Sequence, residues 1–161
     1  MLLRAMTDAD TAAVLALNAA SVDDLSPLDA ERLAVLRSLA VGADVVQVDH
    51  EVAAFVLLFG PDAAYDSANF DWFRQRYGEQ FLYLDRIAVG QPYRRRGIGA
   101  LVYAAAERRA MPYRRLVCEV NAEPPNDTSL AFHRARGFTE VGRREQGAGK
   151  VCAMFAKALA G

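Results

Sequence analysis

The chain has 161 residues with 19 basic and 20 acidic side chains, which gives a net charge of -1. A chain of this length buries about 70% of its unfolded surface and is expected to fold as one domain, residues 1–161. The near-neutral charge argues against a nucleic-acid or membrane partner, and no apolar run reaches the roughly 18 residues of a spanning helix. Asp8 and Asp10 fall where a signal peptide is apolar, so we expect a cytoplasmic location.

The N-terminal part of the chain predicts a strand and two helices. The strand is predicted over residues 2–6. Thr7 and Asp10 have the spacing at which two side chains cap a helix start, and the first helix follows them. The second helix is predicted to begin at Ser26-Pro27, a cap followed by a proline in the first turn, and to end near residues 41–42. Its predicted apolar face comprises Leu33, Val35 and Leu36.

Three strands are predicted in the middle of the chain. Segments 45–48 and 52–59 are rich in β-branched and aromatic residues and flank a turn that contains His50. This pattern predicts a hairpin with a solvated histidine at its tip. Residues 81–89 are predicted to form a continuous buried strand.

An aromatic segment, residues 63–78, lies between the hairpin and that strand and contains a predicted short helix at 67–76. Trp72 and Phe73 favour the core or an interface over a substrate contact, because large rings bury most of their surface there. Two further interpretations stay open: a lid over a bound acceptor, and a surface for a second copy of the chain.

The C-terminal half predicts strand, helix, strand, helix and a closing hairpin. The helices are residues 97–110 and 126–136, and Gly137 follows at the position of a left-handed cap. The strands are residues 116–120, 139–144 and 151–156. Two helices, a meander and then alternating strands and helices predict an α+β domain with helices on the faces of a mixed sheet.

The most informative segment runs from a buried strand through an arginine- and glycine-rich loop into a helix. Arg94, Arg95 and Arg96 precede Gly97 and Gly99. The first turn of a helix has unpaired N–H groups at the positive end of the dipole, and glycines let a phosphate approach the backbone. We therefore predict a phosphate site, the alternative being a turn with three solvated arginines. The dinucleotide fingerprint and the Walker loop are both excluded by missing residues.

A second segment places Asn126, Ser129 and His133 at i, i+3 and i+7 on one helix face. This face is either a binding wall or a solvated surface. Together the two segments resemble the GNAT superfamily of N-acetyltransferases. The phosphate-loop pattern of that family, Arg/Gln-x-x-Gly-x-Gly/Ala, is met by Arg94, Gly97 and Gly99, and the element order is similar over nearly the whole chain.

The resemblance implies a central, mostly antiparallel, splayed sheet of about seven strands. It implies transfer of an acetyl group from acetyl-CoA to the amine of a small molecule or peptide, by direct attack in a ternary complex and without a metal. The family is often dimeric, so a homodimer is one expectation. The positions that would bind acetyl-CoA are Ile87, Ala88, Val89, Arg94, Arg95, Arg96, Gly97, Ile98, Gly99, Ala100, Asn126, Ser129 and His133.

Three side chains are candidates for proton transfer. His133 stands where many members of the family carry a tyrosine that protonates the departing thiolate; an imidazole either does the same or merely bonds to the cofactor. Asp85 and Glu119 lie in apolar strands and are alternative bases for the amine. For Asp85 the alternative is a structural ion pair with Arg86 or Arg94, and for Glu119 it is a place on a polar strand face. The oxyanion would meet the N–H of Val89.

A catalytically silent acyl-CoA sensor with the same fold is the alternative function, because the tyrosine of the family is absent. Cys118 and Cys152 are too few for a disulfide framework and lack metal-ligand spacing. They are expected to be buried, reduced thiols.

Overall fold

The computed structural model describes residues 1–21 and 25–160, which form one seven-stranded sheet with helices on both faces. The α-helices are α1 (Thr11–Ala20), α2 (Ala30–Leu39), α3 (Ala68–Tyr77), α4 (Ile98–Ala110) and α5 (Asp127–Ala135). The strands are β1 (Leu2–Ala5), β2 (Gly42–Val48), β3 (Glu51–Phe59), β4 (Leu82–Val89), β5 (Arg115–Glu123), β6 (Thr139–Gly147) and β7 (Lys150–Ala158). The strand order is β1-β2-β3-β4-β5-β7-β6, and the predicted α+β class is confirmed.

The pairing of β4 with β5 differs from every other pairing in the sheet. These two strands run parallel, and they pair only where Leu82 meets Leu116 and Tyr83 meets Val117. The remaining neighbours pair antiparallel along most of their length. Beyond the two parallel pairs β4 and β5 diverge, so a gap opens in the middle of the sheet and the expected splay is confirmed.

A bulge in β4 lies at the start of this gap. Leu84 pairs with Leu58 of β3, whereas the next pair joins Arg86 to Leu57, so Asp85 is an extra residue in the strand. A bulge bends its strand and redirects side chains. The sequence analysis treated this strand as continuous, because a single extra residue leaves no mark on an apolar run.

Two apolar clusters pack on opposite faces of the sheet. One face is covered by α4 and α5, and its buried residues include Ile98, Val102, Tyr103 and Leu130. The other is covered by α1, α2 and α3, and its buried residues include Val14, Leu33, Leu36, Phe70 and Phe73. The gap between β4 and β5 therefore connects two faces that have different helices.

The aromatic segment belongs to the second cluster. Tyr65, Phe70 and Phe73 are buried, and the Trp72 ring packs on β6 so closely that a Cβ at Gly142 would lie 2.5 Å from it. Phe73 is therefore a core residue, as predicted, and Trp72 is partly buried against the same cluster. Phe73 is not available as a lid or as a free surface for a second copy.

Helix α2 begins later than the sequence predicts. The side chain of Asp29 accepts a hydrogen bond of 2.7 Å from the N–H of Arg32, so the cap is Asp29 and not Ser26. Val35 is 43% exposed, because two residues are about 200° around a helix and place it opposite Leu33. The prediction that Val35 joins the apolar face is wrong.

Other local signals are confirmed at the chain turns. The N–H of Thr7 donates to Asp10 at 2.8 Å in a capping box before α1. His50 is exposed in the hairpin turn with a φ of 69°. Gly137 ends α5 with a φ of 94°. Within the two described ranges, no helix is long and apolar enough to cross a bilayer.

Candidate active site

A cavity of about 980 Å³ occupies the gap between β4 and β5 and is lined from both faces of the sheet. It contains every sequence-predicted site residue except Arg96, whose guanidinium lies 5.7 Å from the Tyr93 ring. The predicted residues that line it are Asp85, Ile87, Ala88, Val89, Arg94, Arg95, Gly97, Ile98, Gly99, Ala100, Glu119, Asn126, Ser129 and His133. Two segments that are separate in the chain, residues 85–100 and 119–133, thus meet in one cavity.

One end of the cavity is formed by the backbone at the start of α4. Gly97 is the N-cap residue with a φ of 80°, a conformation that glycine adopts without strain. Within the described residues, no backbone carbonyl outside the helix accepts from Arg95, Arg96 or Gly97, and the first turn of a helix has unpaired N–H groups. A Cβ at Gly97 would meet nothing within 4 Å. This end is therefore open, rich in donors and suited to a diphosphate.

The edge of β4 that faces the gap supplies further backbone groups. The N–H of Gly90 donates to Ala53 of β3 at 2.8 Å, and an antiparallel ladder bonds alternate residues. By this alternation Val89 and Ile87 direct their backbone groups away from β3 and into the gap. An extended arm lying along this edge finds donors and acceptors at both positions.

Asn126 has a structural task as well as a place in the cavity wall. Its side-chain oxygen accepts from the N–H of Ser129 at 3.1 Å and caps α5. The amide NH2 group of Asn126 can donate to a ligand. Ser129 and His133 follow on the same face of α5 and also line the cavity, which supports the binding-wall interpretation of this face.

Glu119 lies on the α1–α3 face of the gap and is held by neutral donors. The Tyr83 hydroxyl lies 2.9 and 2.8 Å from its two carboxylate oxygens, and Asn69 at the start of α3 also bonds to it. Burial, followed by the charge of Asp85, raises the pKa of Glu119 to about 8. Within the described part of the chain, the groups that act on Glu119 most strongly include no cation.

Asp85 has a different environment on the same face. Its carboxylate accepts from Arg86 Nε at 3.0 Å, and both side chains are more than nine-tenths buried. Arg86 also donates to Asn18 at 3.1 Å and to the carbonyl of Ser26 at 2.8 Å. Burial raises the pKa of Asp85, while Arg86 opposes that rise. The structural alternative for Asp85 is therefore confirmed: the carboxylate has its own buried cation.

His133 lies on the opposite face of the gap and is 4% exposed. Its Nδ1 lies 2.7 Å from the Ser129 carbonyl oxygen, which only accepts, so Nδ1 carries a proton. Its Nε2 lies 2.6 Å from the Tyr103 hydroxyl. In the neutral imidazole Nε2 has no proton, and the hydroxyl donates to it. Burial lowers the pKa of His133, which favours this neutral form.

Both cysteines lie against the cavity as reduced thiols, as predicted. Burial raises the pKa of Cys118, and it raises that of Cys152 to about 12. A thiol nucleophile must first become a thiolate, so neither side chain is suited to carry an acetyl group. No cluster of three or more potential metal-ligating His, Cys, Asp or Glu side chains occurs in the described part.

Three residues of the site were not predicted from the sequence: Tyr83, Tyr103 and Asn69. The two tyrosines occupy positions that pattern assigns to the core. A signal was nevertheless present, because a buried tyrosine hydroxyl needs a hydrogen-bond partner and therefore points to polar groups nearby. Asn69 gave no signal in the sequence.

A protein-family model described as the acetyltransferase (GNAT) family matches residues 16–138, more than half of the chain. No match to a curated protein was found. Among solved structures, the fold is similar to Ard1 from Thermoplasma volcanium, with a TM-score of 0.78 and 14% identity over 99% of this chain and 98% of that one.

Two further structures have the same fold. One is the ribosomal-protein-alanine N-acetyltransferase from Brucella melitensis, with a TM-score of 0.73 and 22% identity over 99% of this chain and all of the other. The second is yncA from Salmonella typhimurium, a putative acetyltransferase solved with acetyl-CoA, with a TM-score of 0.73 and 19% identity over 100% and 95% of the two chains.

Proposed function

Because the chain belongs to the acetyltransferase (GNAT) family, we propose that it transfers an acetyl group from acetyl-CoA to the amine of a small molecule or peptide by direct attack in a ternary complex. Acetyl-CoA is a substrate in this proposal and not a resident cofactor. The observation that carries the proposal is the gap between β4 and β5, which joins a donor-rich helix start to a buried carboxylate.

The cavity residues fit acetyl-CoA from one end to the other. The N–H groups at the start of α4 suit the diphosphate, and the positive dipole end strengthens their hold on an anion. The gap-facing backbone of Ile87 and Val89 suits the amide-containing arm. The N–H of Val89 is also the proposed partner of the oxyanion that forms when the amine attacks.

Direct attack is supported by the placement of the two faces. The amine reaches the gap from the α1–α3 face, where Glu119 lies, while the cofactor occupies the α4–α5 face. Both substrates are then in contact across the open sheet. The raised pKa values of Cys118 and Cys152 argue against a covalent acetyl-enzyme.

Glu119 is the proposed base, in preference to Asp85. A base must be able to accept a proton at working pH, and a pKa of about 8 meets this need. Glu119 also lies in a buried site whose strongest neighbours include no cation, so a substrate ammonium supplies the missing positive charge. Asp85 is neutralised by Arg86 and is proposed to hold the strand and the Asn18 contact in place. The proton for the departing thiolate is proposed to come from the α4–α5 face, where His133 stands.

An amine panel tests the function. Purified protein, acetyl-CoA and one amine at a time are mixed, and release of free CoA is followed with a thiol reagent. The panel includes a peptide with an N-terminal alanine, because a similar structure is named as an alanine N-acetyltransferase, as well as amino acids and polyamines. Thiol release with at least one amine supports the enzyme; tight acetyl-CoA binding without release across the panel would instead indicate a sensor. A homodimer and a cytoplasmic location stay predictions.

A further inference from the structure

A tyrosine hydroxyl on α4 lies against the cavity where the gap between β4 and β5 opens. Tyr103 is 3% exposed, lines the cavity from α4 and lies beside Cys118 of β5. Cys118 follows directly after the last parallel pair, so this hydroxyl lies where the gap opens. The resemblance to the family implied a proton donor only at position 133, on α5. It implied no donor on α4.

The hydrogen bonds of His133 leave it no proton of its own to give to the cavity. Its Nδ1 proton is bonded to the Ser129 carbonyl. A proton on Nε2 would point at the Tyr103 oxygen, 2.6 Å away. Any proton that passes from His133 to a ligand therefore goes through the Tyr103 hydroxyl.

We propose that Tyr103 is the catalytic residue that protonates the departing CoA thiolate, and that His133 is a positioning and relay residue that resupplies its proton. As the carbonyl carbon–sulfur bond breaks, its electron pair stays on sulfur, and sulfur takes the Tyr103 hydroxyl proton. The Tyr103 oxygen takes the Nε2 proton of the His133 imidazolium. The pair ends as a neutral tyrosine that donates to a neutral histidine, which is the arrangement observed, and a proton from water restores the imidazolium.

The surroundings of the pair are mostly apolar. The His133 ring packs edge-on against Tyr103, Phe132 and Phe138 and stacks on Phe155 at 5.8 Å. Burial opposes both the imidazolium and the phenolate, so the proton moves only when the thiolate supplies a negative charge. The titratable and charged groups nearest the pair are Cys118, Glu119, Arg136, Glu107, Lys157 and Arg134.

The inference rests on the proposed function, and its first test is a pH profile with the panel amine that gives the highest wild-type rate. Tyr103→Phe keeps the ring and removes the proton, so we expect kcat to fall about 100-fold at pH 6.5. The wild-type relay needs the imidazolium, whereas the variant does not. The ratio of wild-type to variant kcat should therefore fall about tenfold per pH unit above the pKa of His133. A purely structural role would give a ratio that does not change with pH.

His133→Gln separates the relay from packing, since an amide donates to the Tyr103 oxygen but does not titrate. We expect this variant to lose the same pH dependence. The double variant should be no slower than Tyr103→Phe alone, because the histidine acts only through the hydroxyl. Tyr113→Phe, outside the cavity, is the matched control and should keep wild-type kcat. A Tyr103→Phe rate within threefold of wild type at every pH would overturn the proposal while leaving the proposed function intact.

A binding measurement without any amine tests the contact between the Tyr103 hydroxyl and the CoA sulfur. Calorimetry compares CoA with desulfo-CoA, in which hydrogen replaces the thiol. Wild type should bind CoA several-fold more tightly, and Tyr103→Phe should bind both equally. An equal preference for CoA in both proteins would place the sulfur away from Tyr103 and contradict the proposal, whether or not the panel shows turnover.

Discussion

We propose that the two ends of the cavity bind acetyl-CoA by different means. At the start of α4 the groups proposed to face the ligand are backbone N–H groups. The glycines and arginines of the loop were enough to predict this site from the sequence. At the middle of the sheet the groups are buried side chains from β4, β5, α4 and α5. Glu119 depends on Tyr83 and Asn69, and His133 depends on Tyr103.

The difference follows from what each task needs. A diphosphate is held by charge and by several equivalent donors, so a local loop conformation is enough. Proton transfer needs a group whose pKa is shifted toward working pH, and burial beside specific neighbours produces that shift. Substitutions at the two ends should therefore have different effects. At the helix start they should lower the affinity for acetyl-CoA, and at the middle of the sheet they should lower turnover.

The largest effect is expected at the helix start. Gly99→Glu places bulk and negative charge at the proposed diphosphate site, and we expect acetyl-CoA affinity to fall at least 100-fold in calorimetry. The fold should tolerate the change, because a Cβ at Gly99 meets only the Phe132 ring at 3.8 Å. Arg108→Glu changes charge at the exposed far end of α4 and should leave affinity within twofold. Unchanged affinity in Gly99→Glu would remove the loop from the site.

Glu119→Gln should reverse the pattern, with acetyl-CoA affinity kept and turnover lost. We expect kcat to fall roughly 100-fold or more, since general bases contribute about 10²–10⁴. The ratio of wild-type to Glu119→Gln kcat should rise with pH toward the Glu119 pKa of about 8, because only the wild-type side chain ionises in this range. Glu123→Gln, at the exposed end of the same strand, should behave as wild type. A ratio that does not change with pH would contradict the assignment.

The same substitution should also stabilise the protein at alkaline pH. The folded-state pKa of Glu119 lies above the unfolded value, so its protonated form favours folding below about pH 4.5, and this contribution is lost as pH rises toward 8. Glutamine does not ionise. We therefore expect the Tm of Glu119→Gln to exceed that of wild type by about 2–6 °C at pH 9, with little difference at pH 5, in thermal unfolding followed by circular dichroism.

Asp85→Asn should act on stability before it acts on chemistry. It leaves the buried Arg86 guanidinium without its carboxylate, which we expect to cost about 2–4 kcal/mol in denaturant unfolding. Asp71→Asn removes the exposed partner of Arg74, 3.9 Å away, and should change stability by less than about 0.5 kcal/mol. If Asp85→Asn were as stable as wild type but inactive, Asp85 and not Glu119 would be the base.

The smallest effect is expected far from the cavity. Arg4 holds the pKa of Asp10 at about 2, below its ordinary value near 4, through hydrogen bonds of 2.8 and 2.9 Å. This stabilisation is present above about pH 4 and is lost as pH falls toward 2. Arg4→Met should lower Tm by a few degrees at pH 7 and by less at pH 2.5, with kcat unchanged. A Tm difference that does not vary with pH would mean that Arg4 contributes by packing alone.

Much of the fold could be predicted from local signals. The Thr7–Asp10 capping box and the left-handed Gly137 both depend on residues a few positions apart. The start of α2 was predicted wrongly, because Ser26-Pro27 and Asp29 both provide residues that can cap a helix. Local sequence alone does not decide between them. The prediction that Val35 belongs to the apolar face of α2 was wrong, because an apolar side chain on a helix need not face the core.

The residues of the site divide in the same way. By itself the sequence determined the donor-rich helix start, the order of the elements and the identity of the ionisable residues, since each depends on short-range backbone geometry or on residue type. Only the tertiary structure decided that Asp85 has a buried cation, that the strongest neighbours of Glu119 in the described part of the chain include none, and that Nε2 of His133 meets the Tyr103 hydroxyl. Burial and the partners of a charge are set by side chains that meet across the sheet from distant parts of the chain.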